Sequence, residues 1–171
     1  MPTVHFDPRF SDPAAGPTPW DDVARVLERA DLYWLTTVRD RGRPHVTPLV
    51  GVFADGAVHF STGLEEQKAR NLEHHDEVAV TTGNNTWAQG LDVVLEGRAV
   101  RVRDGDALQR LARAYEAKYG SVWHYDVDGD MFVSGDHGRA AVFRVEPAKV
   151  LAFAKQPHGQ TAFRFGAATS R

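Results

Sequence analysis

Three apolar runs joined by tight turns constrain this chain more than any other feature. "LYWLTTV" (32–38), "HVTPLVGVFA" (45–54) and "AVHFST" (57–62) are rich in β-branched and aromatic residues. The turns between them are "RDRGRP" and the dipeptide Asp55-Gly56. An Asp-Gly pair favours positive φ at both positions, which is what a two-residue hairpin needs. The block therefore predicts an antiparallel meander. Two further strands are expected at 77–83 and 91–103, with Gly97 as a candidate bulge, and a long last strand at 139–154 interrupted near Pro147.

Helical periodicity occurs in three places. "WDDVARVLERAD" from Trp20 spaces Val23, Val26, Leu27 and Ala30 along one face, with Asp21 and Asp22 favourable in the first turn. A second helix is expected in "EEQKARNLEHH". The third, 104–120, has an Asp cap, Leu108, Leu111, Ala112 and Tyr115 on one face, and Gly120 as its stop. Residues 1–19 are proline-rich and predict an extended N-terminal arm, followed by one domain over 20–171. With no alternation of strand and crossover helix, a mainly β fold with peripheral helices is expected, as a small closed or nearly closed antiparallel barrel.

Composition removes several function classes. A chain of 171 residues with net charge −3 has no overall basic field for nucleic acid or an anionic membrane surface. Without cysteine there are no disulfides, thiolate metal sites or thiol nucleophiles, and a reducing cytoplasm is compatible. No apolar run approaches the ~20 residues of a membrane span, so an unexported soluble protein is expected. Motifs for an esterase elbow, a phosphate loop, a dinucleotide fingerprint and a zinc protease are all missing.

Metal binding has little support. "DVDGDMFVSGDH" (126–137) superficially resembles a calcium loop, but Met131 stands where glycine is needed and His137 where a bidentate Glu is needed. Neighbouring His74 and His75 point about 100° apart on a helix and cannot easily share a metal.

"FSTGLEEQKARNL" (60–72) is the most suggestive stretch. It reads as an ordinary capped corner: Thr62 and Glu65 form a capping box while Leu64, Ala69 and Leu72 face the core. The same corner sets Lys68 and Asn71 at i and i+3, beside the Ser61 and Thr62 hydroxyls and the free amides of a helix start. Ammonium, amide, hydroxyl and backbone donors would then converge as an oxyanion requires. On spacing alone, both readings stand.

The ordered set "WLTTVRDRGRPHVTPLVGVFADGAVHFSTG", "KARNL", "EVAVT", "VVLEGRAVRV" and "GQTAFRF" resembles the split β-barrel flavin and deazaflavin oxidoreductases. This is the superfamily of pyridoxamine 5'-phosphate oxidase, and in particular its actinobacterial branch that uses coenzyme F-420. The likeness runs from about 20 to 165. It implies an FMN-binding type of split barrel and a cytoplasmic homodimer with its cofactor at the subunit interface. It also implies hydride transfer between F-420 and a small unsaturated or conjugated substrate. By position, His45, Thr47 and Pro48 would line the cofactor, with Ser61 and Thr62 at the end of the third strand. Lys68 and Asn71 would meet its phosphate, and Trp87 would reach towards the ring system or the partner subunit. The chain ends "FGAATSR", without the Arg-Leu-x-Pro ending of pyridoxamine 5'-phosphate oxidase itself, which argues against vitamin B6 oxidation. The alternatives are an FMN-dependent oxidase or reductase and a non-catalytic flavin or haem binder. Arg39, Arg41 and Arg43 either line a basic groove for the anionic F-420 tail or decorate an exposed turn.

Overall fold

The computed structural model describes residues 1–135 and 138–166; His137 lies outside them. Strands β2 (Tyr33–Val38), β3 (Pro44–Leu49), β4 (Gly51–Ala54) and β5 (Ala57–Thr62) are the expected meander. Asp55 and Gly56 turn with φ of 51° and 72°, the two positive angles their sequence asks for. Strands β6 (Glu77–Thr82), β7 (Leu91–Val102) and β10 (Gly138–Lys155) follow the expected pattern, and β11 (His158–Arg164) is the predicted tail. Helix α1 spans Trp20–Arg29, α2 Gln67–Leu72 and α3 Gly105–Tyr119.

Two elements go beyond the sequence reading. Within the first 19 residues, β1 (Thr3–Phe6) pairs antiparallel with β11. The segment expected to be irregular contains a hairpin of β8 (Asp126–Asp128) and β9 (Met131–Ser134), turned by Gly129 at φ 61°. Its acidic residues pair with arginines: Asp128 with Arg139, and Asp130 with Arg101 and Arg103.

The main sheet runs β1-β11-β10-β7-β6-β2-β3. Strand β10 is 18 residues long and changes partner along its length. On one side it keeps β7, while on the other it pairs with β5 over 141–145 and with β11 over 149–155. The change falls at a bulge between Pro147 and Lys149. The predicted strand 45–54 divides at Val50, where the chain leaves β2 for β5. At that break the last turn of α3 supplies the missing partners. Tyr119 Oη accepts from Gly51 N–H at 3.1 Å and donates to Gly51 O at 2.7 Å, and Lys118 Nζ donates to the same oxygen at 2.9 Å. Backbone groups orphaned by the sheet break thus stay satisfied. The result is an open, mostly antiparallel sheet: a split barrel with helices at its periphery.

Two apolar clusters hold this together. The larger one packs Val23 and Leu27 of α1 against Leu35, Phe60, Leu95, Val150 and Phe163. Trp20 meets Phe163 and Phe165 edge to face at 5.2 and 5.1 Å. The smaller one packs Leu108, Leu111 and Tyr115 of α3 on Val52, Phe132 and Val142.

Candidate functional site

Inward positions of β2 are Tyr33, Leu35 and Thr37, all fully buried. The last of them ends an apolar series with a hydroxyl, and α2 supplies its partner. Asn71 Nδ2 donates to Thr37 Oγ1 at 2.8 Å, Gln67 Nε2 to Asn71 Oδ1 at 2.8 Å, and Arg39 Nη1 to Gln67 Oε1 at 2.8 Å. Strand pairing sets His45 opposite Thr37 and Thr47 opposite Leu35, so both face the same side. The Thr37 and Thr47 hydroxyls lie 3.4 and 3.5 Å from His45 Nδ1. Polar groups from β2, β3, the β2–β3 turn and α2 are thus linked in one half-buried network.

Charge in this network is biased positive. Lys68 is only 6% exposed and pairs with Glu66. Burial opposes ionisation of Glu66, but Lys68, the Gly63 amide and the Thr62 hydroxyl outweigh it and hold the carboxyl below its usual range. Arg39 adds a second cation whose Nε is buried with no hydrogen-bond partner. Burial, with Arg39 and Lys68 close by, also lowers the His45 imidazole from its ordinary value, favouring the neutral ring.

The expected corner differs in detail. Glu66, rather than Glu65, reaches back: its Oε1 accepts from Gly63 N–H at 2.9 Å and from Thr62 Oγ1 at 3.0 Å. Helix α2 starts only at Gln67 with Glu66 as its cap, so the Thr62–Glu65 capping box does not form. Leu64 is 45% exposed instead of facing the core, because the turn ahead of the helix swings it outward. The Gly63 amide and Thr62 hydroxyl are both engaged by Glu66, leaving the side chains as the donors for an anion.

His45, Thr47, Lys68 and Asn71 come together, and Thr62 joins them through Glu66. Ser61 and Pro48 do not. Strand alternation turns Ser61 towards Tyr115 and Tyr125 on the α3 side. Pro48 pairs with Trp34, on the face of β3 opposite His45 and Thr47. Trp87 is distant as well. Its loop follows β6, whose Thr82 Oγ1 bonds Leu32 O at 3.0 Å, at the end of β2 away from Thr37. Five residues of strand span ~17 Å at ~3.3 Å each. Two open clefts, of about 740 and 1100 Å³, lie at that end, and neither is lined by Lys68 or His45. They share Asn84, Ala154, Gln156 and Pro157.

Sequence reasoning passed over Thr37 and Gln67, which resemble ordinary strand and helix residues. Arg39 was legible only as one of three turn arginines; its side chain folds inward onto α2 while Arg41 and Arg43 stay exposed. Among the described residues, no group of three His, Asp or Glu could hold a metal ion, and no helix is long and apolar enough to cross a membrane.

Solved structures of similar shape include a conserved hypothetical protein from Mycobacterium tuberculosis. It is 20% identical, with a TM-score of 0.67 over 92% of this chain and 98% of that one. A haem-binding protein from Mycobacterium smegmatis gives 0.66 at 15% identity, over 86% of this chain and 59% of that one. A protein named F420 reductase gives 0.50 at 20% identity, over 74% and 93%. At such identities the likeness speaks for the fold. No curated protein sequence matches. The sequence profile described as pyridoxamine 5'-phosphate oxidase matches residues 20–154, most of the chain, and the protein belongs to that family.

Proposed function

We propose that this protein is an oxidoreductase that binds deazaflavin coenzyme F-420 and passes a hydride to a small unsaturated or conjugated substrate. It acts as a cytoplasmic homodimer with the cofactor in the groove between the copies. The observation that carries the reading is the cationic network at α2. Arg39 and Lys68 outnumber Glu66, and the buried Arg39 Nε has no acceptor. A phosphate oxygen is the acceptor such a donor set fits.

The bound cofactor would supply the hydride. The chain's own residues do the rest. Lys68 and Arg39 hold the phosphate, while Gln67, itself held by Asn71, fixes the direction in which Arg39 points and Glu66 that of Lys68. His45 and Thr47 face the groove as neutral hydrogen-bonding groups along the ring's approach, and Thr62 acts through Glu66. Pro48 faces the other side of β3, beside Trp34, where a second copy would bring its own residues. Ser61, turned towards α3, is assigned to the fold.

FMN is the alternative cofactor for the same network. Haem is a third, favoured by the shape shared with the haem-binding protein from Mycobacterium smegmatis and by the neutral His45 imidazole. The test is a titration of the purified protein with F-420, FMN and haem, followed by a hydride-transfer assay with reduced F-420. The reading expects F-420 binding and turnover. FMN binding with no response to F-420, or haem binding alone, sinks it.

A further inference from the structure

A proline-rich chain start ordinarily hangs loose. Here it is pinned along β11. Beyond the β1 ladder, Asp7 N–H donates to Gln160 O at 3.0 Å and Asp12 N–H to His158 O at 2.7 Å. Thr18 N–H then donates to Oγ1 of the buried Thr161 at 2.9 Å. Gly159 lets the arm cross the strand closely, since a Cβ there would come 3.3 Å from Ala15 Cβ. Neither apolar cluster includes any residue of 1–19, so packing of the core does not account for these anchors.

What the pinned arm does is wall a cleft. Residues 15–19 line the opening of about 740 Å³ together with α1, the loop after β6 and the β10–β11 turn. That loop is fixed in its own right: Lys155 Nζ donates to Asn84 Oδ1 at 2.8 Å and to Thr86 O at 2.7 Å. Val26, Ala30 and Leu91 line the cleft and also pack on the larger cluster, so the lining continues the apolar surface of the core. Pro17, Pro19 and Pro157 add flat rings that have no side-chain rotamers to lose when covered. The volume falls within the range of small-molecule sites, roughly 300 to 1,000 Å³. Charge then selects the class of molecule. Arg25 and Arg29 stand one turn apart on α1, and both line the cleft. The only acid in the lining, Asp22, is taken up by Arg25 at 2.7 Å. Among the described residues Arg29 meets no carboxylate, so the cleft carries one uncompensated guanidinium beside an apolar lining.

We propose that this cleft is a second binding site, for a small organic acid with a flat apolar body. Its carboxylate pairs with Arg29, and its body covers Val26, Ala30 and Leu91 between the proline rings. Lys68, Arg39 and His45 do not line the cleft, so the inference stands apart from the cofactor reading. Walls fixed before binding keep the cost of ordering low, and a guanidinium offers a carboxylate two parallel donors. A neutral molecule of the same shape gains the apolar contact alone.

The experiment titrates the full-length protein with 2-naphthoate, followed by its fluorescence, and with naphthalene-2-methanol as the neutral counterpart. Saturable binding of one naphthoate per chain is expected. Arg29→Ala should weaken naphthoate about tenfold and leave the alcohol unchanged, while Arg29→Lys recovers part of the loss. Ala30→Phe fills the apolar lining and should weaken both probes. Should Ala30→Phe fail to fold, the exposed Arg29 carries the test by itself, through the difference between acid and alcohol. No saturation by naphthoate at millimolar concentration overturns the inference. So does a naphthoate affinity indifferent to Arg29→Ala, or an equal loss for acid and alcohol in that variant.

Discussion

Glu66 has a conflicting pair of duties. Its carboxylate organises the corner by accepting from Gly63 N–H and Thr62 Oγ1, and it neutralises Lys68, a cation the proposed phosphate would use. Glu66→Gln keeps an acceptor oxygen of the same shape and removes the charge. Affinity for FMN or inorganic phosphate should then rise ~3- to 10-fold, with a steeper dependence on salt, as read by calorimetry. Unchanged affinity would mean that Lys68 does not face the ligand. His59 tests a different point, on the α3 side of β5. It is 4% exposed, its Nδ1 lacks a partner, and burial, then the neighbouring Arg144, pushes its imidazole down to about 4. Between pH 4 and the ordinary value of 6.5 the unfolded chain binds a proton that the native one does not, so stability rises with pH through that window. As pH falls from about 6.5 to about 4, on the order of 3 kcal/mol should be lost. Urea unfolding at pH 7, 5.5 and 4.5 checks this, and His59→Leu should flatten the profile. A histidine-independent slope would refute the assignment.

At the scale of elements, Gly97 shows how a sequence signal can be right about a place and wrong about a strand. The glycine in β7 suggested a bulge there, but the extra residue is Ala148 in β10, between the pairs Pro147–Gly97 and Lys149–Glu96. Gly97 is needed because the bulged strand closes on it: a Cβ would come within 2.1 Å of Glu146 O. Gly97→Ala should therefore cost about 2 kcal/mol or more, read as a lowered Tm, whereas an exposed-strand Gly→Ala would be nearly neutral. The meander, α1 and α3 were legible because local chemistry and burial agree there; Asp104 Oδ1 caps α3 through Ala107 N–H at 2.8 Å, as its position suggested. Strand β1 and the β8–β9 hairpin were not, since they are short and depend on distant partners. The candidate site was half legible. Helical spacing joined Lys68 to Asn71, but Thr37 and Arg39 enter it through a contact between α2 and β2 that no local pattern records.

For the molecule as a whole, the split of the sheet has a consequence for assembly. Because the chain crosses from β2 to β5 at Val50, β3 is left as the terminal strand of the main sheet. Pro44 and Pro48 fit that edge, where a missing N–H costs no ladder bond. The outer face beside it carries Trp34, 49% exposed, Val46, 54% exposed, and Pro48. An apolar stripe on a sheet face, next to an edge whose prolines discourage indiscriminate strand pairing, suits a partner that docks face to face. The second copy of the proposed homodimer meets this requirement. Trp34→Asp should therefore do two things at once. It should convert a dimer to a monomer in sedimentation at micromolar concentration, with an unchanged far-ultraviolet spectrum. It should also weaken cofactor binding at least tenfold, although Trp34 lies on the face of β2 away from Thr37 and His45. If the unmodified protein sediments as a monomer, or Trp34→Asp remains a dimer with full affinity, the shared groove is wrong and each chain must complete its site alone.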